Sequence, residues 1–114
     1  MKNDELIEEY VSLIIEQGKA FEDANDKLNN KLATKAEKVF ENISKSNDLK
    51  NMIMYLNHEN DYVKFAVASK IYSLEPQLSQ EALKKVADGD SLLQMVAEIT
   101  LNDINSTFAP RKMR

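Results

Sequence analysis

The segment from Tyr62 to Leu74, YVKFAVASKIYSL, is apolar or small at most positions and is closed off by Pro76. At about 100° per residue, Val63, Val67, Ile71 and Leu74 form one stripe, while Phe65, Ala68 and Tyr72 cover the opposite side. A helix that is apolar nearly all round is a buried one, with neighbours on both flanks. About thirteen residues cannot cross a bilayer, so those neighbours are expected to be other helices of the same chain. Ahead of the segment, Asn57-His58-Glu59-Asn60-Asp61 makes a polar break after an apolar helix end at Leu56.

This segment also sits at the centre of an internal repeat. A shift of 30 residues lays Ile53 on Leu83, Leu56 on Val86, Asn60 on Asp90, Val63 on Leu93, Val67 on Ala97, Ile71 on Leu101 and Leu74 on Ile104. A shift of 31 the other way lays Val63, Val67, Ile71 and Leu74 on Leu32, Ala36, Phe40 and Ile43. Helix-turn-helix units of this length bury their apolar faces only against their neighbours. The expected fold is therefore all-α, three stacked helical hairpins in one domain over residues 1–106, followed by a flexible basic tail at 107–114.

Taken in order, a first helix is expected from Asp4, as N-cap, to about Asp23. Leu6, Tyr10, Leu13 and Gln17 beside Ile7, Val11 and Ile14 face inward, and Glu5, Glu9, Glu16 and Asp23 face out. Gly18 costs about 1 kcal/mol against alanine within a helix, and marks either a close helix crossing or a weak point. A second helix spans about Asn25 to Lys45, with Leu28, Leu32, Ala36, Val39, Phe40 and Ile43 inward. Its polar side carries Lys27, Lys31, Lys35, Lys38 and Lys45. Those lysines read either as a solvated face, partly paired with the first helix's acidic row or with Glu37 and Glu41, or as a basic groove for an acidic partner. Ser46-Asn47-Asp48 then breaks the chain before a short third helix with Leu49, Met52, Ile53 and Leu56 inward. Ser79 is expected to cap a fifth helix, and Asp88-Gly89-Asp90-Ser91 to separate it from the last, which carries Leu92, Leu93, Val96, Ala97, Leu101 and Ile104.

The middle unit resembles a HEAT repeat: a helix end at Leu56, a polar turn with Asp61, Val63-Lys64, a small-residue centre at Ala66 to Ala68, and Ile71 closing. It departs in having lysine where arginine is usual and in lacking proline in the turn. Over most of the chain the NDYVKFAVASKIYSLEP helix, a helix ending near Gly89 and the AEITL helix are similar to a bacterial family of short HEAT-like domains of unknown function. Members of that family are often encoded near polymorphic toxin systems. The resemblance implies a HEAT/ARM-like α-α superhelix and a binding module, such as an immunity protein that neutralises a toxin by occlusion or allosteric block.

The residues supply little for catalysis. His58 is the single histidine, and the position four residues on, where a zinc-protease helix needs its second, is Tyr62. Asp88-Gly89-Asp90 has the outline of a calcium loop but lacks the alternate ligands and closing glutamate; helix caps account for it. No phosphate loop and no Ser-His-Asp set is present, and no cofactor or metal is expected. Without cysteine, disulfides and thiolate chemistry are excluded. No long apolar run follows the N-terminus, so neither a signal peptide nor a membrane span is expected, and the compartment is read as cytoplasmic.

The expected function is non-catalytic protein binding through a concave face formed by the second, fourth and last helices. Lys31, Lys35, Lys38, Lys64, Lys70, Gln94 and Glu98 are the expected contact residues. The alternative is a nucleic-acid-binding HEAT-like protein that uses the lysine-rich face. Against it stand the net charge of −4 and the last helix, whose equivalent positions are Gln94, Glu98, Asn102 and Asp103. A monomer or a weak homodimer is expected, the latter through Phe108 or Met113.

Overall fold

The computed structural model describes the backbone of residues 2–46 and 49–108 and the side chains of 5–46 and 49–103. Among the described residues there are six helical segments and no strand. They are α1 (Lys2–Glu22), α2 (Asp26–Lys45), a 3-10 helix (Leu49–Asn57), α3 (Asp61–Ile71), α4 (Pro76–Asp88) and α5 (Gln94–Phe108). Sequential neighbours pair into hairpins: α1 with α2, the 3-10 helix with α3, and α4 with α5. The molecule measures 47 × 34 × 22 Å. The shortest dimension equals about two helix diameters, so the hairpins stand side by side in two layers.

Local chemistry explains most boundaries. Asn25 caps α2, its Oδ1 accepting the Leu28 N–H at 3.2 Å. Asn60 caps α3 by accepting the N–H groups of Tyr62 (2.8 Å) and Val63 (3.3 Å). His58 organises the same turn, its Nδ1 accepting the Asn60 N–H at 3.0 Å. Between α1 and α2 the chain reverses at Ala24, whose φ of 55° is left-handed, and the Asn25 N–H closes the turn on the Ala20 carbonyl at 2.8 Å.

Three expectations are corrected here and two are given their detail. The first helix is already under way at Lys2, so Asp4 lies within its first turn rather than capping it. The short third helix is present where expected and is 3-10. Its larger rise of about 2.0 Å per residue lets nine residues span roughly the same length as the eleven of α3 at about 1.5 Å. The central helix ends at Ile71, where the Leu74 and Glu75 N–H groups both turn back to the Ile71 carbonyl at 2.9 Å, and this leaves Leu74 47% exposed. Ser79 caps nothing. Pro76 at the first helical position begins α4, and Ser79, a turn further on, is fully buried with no partner for its hydroxyl. Gly89 ends α4 as expected, its N–H bonding the Val86 carbonyl at 3.1 Å, and it does so at φ −83°, without a left-handed conformation.

The core follows the repeat. Val63, Val67 and Ile71 are buried, as are Leu32, Ala36 and Ile43 in the first hairpin and Leu83, Val86, Leu93 and Ala97 in the third. Ile7, Tyr10, Val11 and Ile14 complete it from α1. Leu28, expected inward, is 42% exposed near the start of α2. Tyr62, Phe65 and Leu101 pack against both the main core and the smaller cluster of Val86, Ala87, Leu93 and Ala97. Residues Asn47 and Asp48 and the basic tail from Ala109, including Met113, lie outside the described residues, as does the Phe108 side chain.

Candidate functional site: an apolar groove between the first hairpin and α3

Gly18 sets how closely α1 and α3 approach. A Cβ built on it would stand 2.6 Å from Cγ of Tyr62, so the absence of a side chain is what lets the ring lie flat on the α1 backbone. Gly18 is thus the close crossing rather than a weak point. From this seat the Tyr62 hydroxyl donates to Glu22 at 3.0 Å, and its ring and that of Phe21 stand T-shaped to each other at 6.1 Å between centroids. Burial first, then the hydrogen bond to Glu22 and the charges of Glu22 and Asp61, push the Tyr62 phenol up to about 12.

At the other end of α3, Lys70 pairs with Glu37 of α2 and lies over the Phe40 ring, 4.8 Å from its centroid. Phe40 in turn leans on Tyr10 at 6.0 Å. Burial, with a smaller contribution from the Glu37 charge, holds the Tyr10 phenol above its ordinary range.

Between these two ends α2 stands off from α3, leaving a groove of about 260 Å³. Small residues, Ala33, Ala36 and Ala66, make room, while Phe21, Tyr62 and Phe65 supply ring surface. Gln17, Asn29, Glu37, Ser69 and Lys70 form a polar margin, and Leu93 closes one side. The face of α3 bearing Tyr62, Phe65, Ala66 and Ser69 therefore opens onto this groove, where the all-round apolar pattern had implied a covering helix. Among the described residues, no three His, Cys, Asp or Glu side chains converge as a metal site would require.

Of the seven expected contact residues, the groove takes one, Lys70. Lys31, Lys35 and Lys38 are exposed on the opposite half of α2 from Asn29, Ala33 and Glu37. None of the three is ion-paired among the described residues; Glu37, expected as a partner for that row, bonds Lys70 instead. Lys64 is half-buried and pairs at 3.3 Å with Asp61 in the same turn of helix. Gln94 and Glu98 are exposed on α5, as are its apolar residues Met95, Val96 and Ile99 and, in the turn ahead of it, Leu92. The signal for the groove was present in the sequence as a helical glycine and a row of alanines, but small residues carry no sign of whether the space they leave is filled.

No helix among the described residues is long and apolar enough to cross a membrane. Comparison of the chain with protein-family models, with curated proteins and with solved structures returns no match.

Proposed function

We propose that this chain is a short HEAT/ARM-like α-α superhelix, cytoplasmic and without catalytic activity, that binds another protein through the groove between its first hairpin and α3. The observation that carries the reading is the groove's make-up: part-exposed aromatic rings over a floor of alanines, with a polar margin. Binding sites have this apolar-centre, polar-rim composition. The family resemblance narrows the proposal to an immunity protein that occludes a toxin.

The test uses the tagged full chain as bait in a native lysate, beside the variants Phe21→Ser and Lys35→Glu/Lys38→Glu. Phe21 is 41% exposed and lines the groove, so its loss is tolerable to the fold and is read after circular dichroism shows an unchanged spectrum. A protein recovered by wild type and by the lysine reversal, and lost with Phe21→Ser, is the expected result. Loss with the lysine reversal alone would move the site to the outer face of α2. The second reading, nucleic-acid binding, rests on that exposed lysine row; it predicts a salt-sensitive gel shift abolished by Lys35→Glu/Lys38→Glu.

A further inference from the structure

We propose that the groove is one half of a longer apolar strip, continued along α5, and that the strip receives an amphipathic helix of a partner protein whose polar flank is basic. The inference rests on the protein-binding reading above and adds the chemistry of the partner.

The strip is read from the repeat. Shifted by 30 residues, Tyr62, Phe65, Ala66 and Ser69 fall on Leu92, Met95, Val96 and Ile99. The first four face the groove; the second four are 57%, 69%, 39% and 53% exposed. The repeat thus assigns them corresponding positions in two successive hairpins. Leu93 joins them, lining the groove while packing beneath Phe65 in the cluster of Val86 and Ala97. On α5, Met95, Val96 and Ile99 occupy an arc of about 100°, apart from the inward Ala97 and Leu101, and Leu92 stands in the turn just ahead of the helix. Along α5 the exposed stripe of Met95, Val96 and Ile99 runs about one turn, roughly 6 Å, and with Leu92 ahead of it and the groove beyond, it offers apolar anchors for a helix laid across it. The most exposed member, Met95, has the adaptable side chain common on such surfaces.

Charge selects the partner. From Gln94 to Asp103, α5 carries Glu98 and Asp103 and no lysine, arginine or histidine. At the far end of the groove stands Glu22, and the one ammonium on the margin, Lys70, is matched by Glu37. The lysine row of α2 faces away. Cationic side chains flanking an apolar stripe would meet these carboxylates with their heads and cover exposed methyl groups with their stems. A second copy of this chain docked by α5 would instead set Glu98 and Asp103 against acidic neighbours, since a two-fold interface repeats the same patch on both sides.

The test measures fluorescence anisotropy of two labelled synthetic helices against the full chain, one alternating leucine with lysine in helical register and the other leucine with glutamate. Wild type is expected to bind the leucine-lysine helix at least about ten-fold more tightly. Met95→Asp/Ile99→Asp, both at exposed positions, should cost that helix about ten-fold or more, although the variant is two charges more acidic and diffuse attraction would strengthen. Glu98→Lys/Asp103→Lys should narrow or reverse the preference. Undiminished binding of the lysine helix to Met95→Asp/Ile99→Asp, a preference for the glutamate helix, or no binding of either would overturn the proposal. So would a concentration-dependent dimer in sedimentation that Met95→Asp/Ile99→Asp abolishes, because the occupant would then be a second copy. A partner captured through Phe21 but not displaced by the lysine helix would overturn this inference and leave the protein-binding reading standing; absence of any captured partner would remove that reading.

Discussion

Gly18 and Tyr62 show how one missing side chain positions another. Alanine in place of a helical glycine ordinarily stabilises by about 1 kcal/mol, but here the new methyl would stand 2.6 Å from Cγ of Tyr62, well inside contact distance, and overpacking costs about 1–3 kcal/mol. Gly18→Ala is expected to destabilise by about 1–2 kcal/mol in urea unfolding. In a Tyr62→Ala background the same change should reverse sign and stabilise. Tyr62 also makes stability depend on alkaline pH. Its pKa is about 12 in the folded chain against about 10 unfolded, so the unfolded chain loses its proton first. The contribution is fully present below about pH 10 and is lost as pH rises from there to about 12. Urea midpoints followed over that range should fall less steeply for Tyr62→Phe than for wild type.

The elements begin and end where side chains satisfy or fail their polar groups. Ala24 holds a left-handed conformation at the end of α1 that costs a non-glycine residue about 1–2 kcal/mol. After the greater unfolded-state entropy of glycine is deducted, Ala24→Gly should raise stability by about 0.5–1 kcal/mol, visible as a higher melting temperature. Ser79 is the opposite case, a residue type suited to a helix start that lies inside α4. Its hydroxyl is buried without a partner, a penalty of about 1–3 kcal/mol, and Ser79→Ala should gain about 1 kcal/mol. A variant no more stable than wild type would mean that the hydroxyl finds a partner in solution.

At the scale of the whole molecule, the two polar rows of α2 and α3 part company. Lys70 is drawn into the groove margin by Glu37 and Phe40, while Lys31, Lys35 and Lys38 stay outside it. Exposed charges of this kind contribute within about 0.5 kcal/mol each to stability. Lys35→Glu/Lys38→Glu should therefore melt within a few degrees of wild type and bind the leucine-lysine helix no less tightly, as read by the same anisotropy titration. A large loss of affinity in that variant would place the partner on the outer face.

Much of the architecture was legible along the chain. The register linking Val63, Val67 and Ile71 to Leu93, Ala97 and Leu101 is a statement about which side chains must leave water together, and the hairpin pairing follows from it because each unit is too thin to bury its own stripe. Helix caps at Asn25 and Asn60 are equally local. The 3-10 type of Leu49–Asn57 was not. Ser79 has the residue type of a cap but not the place of one, because Pro76, which reads as the stop of the central helix, is the first residue of α4, while the central helix already ends at Ile71. Nor could the pattern around Phe65 and Ala66 distinguish a covered face from an open one. An apolar side chain records only that contact with water is unfavourable; whether α2 closes on α3 is decided by the bulk of Tyr10, Phe21 and Phe40 and by the Glu37–Lys70 pair, which meet only in the folded molecule.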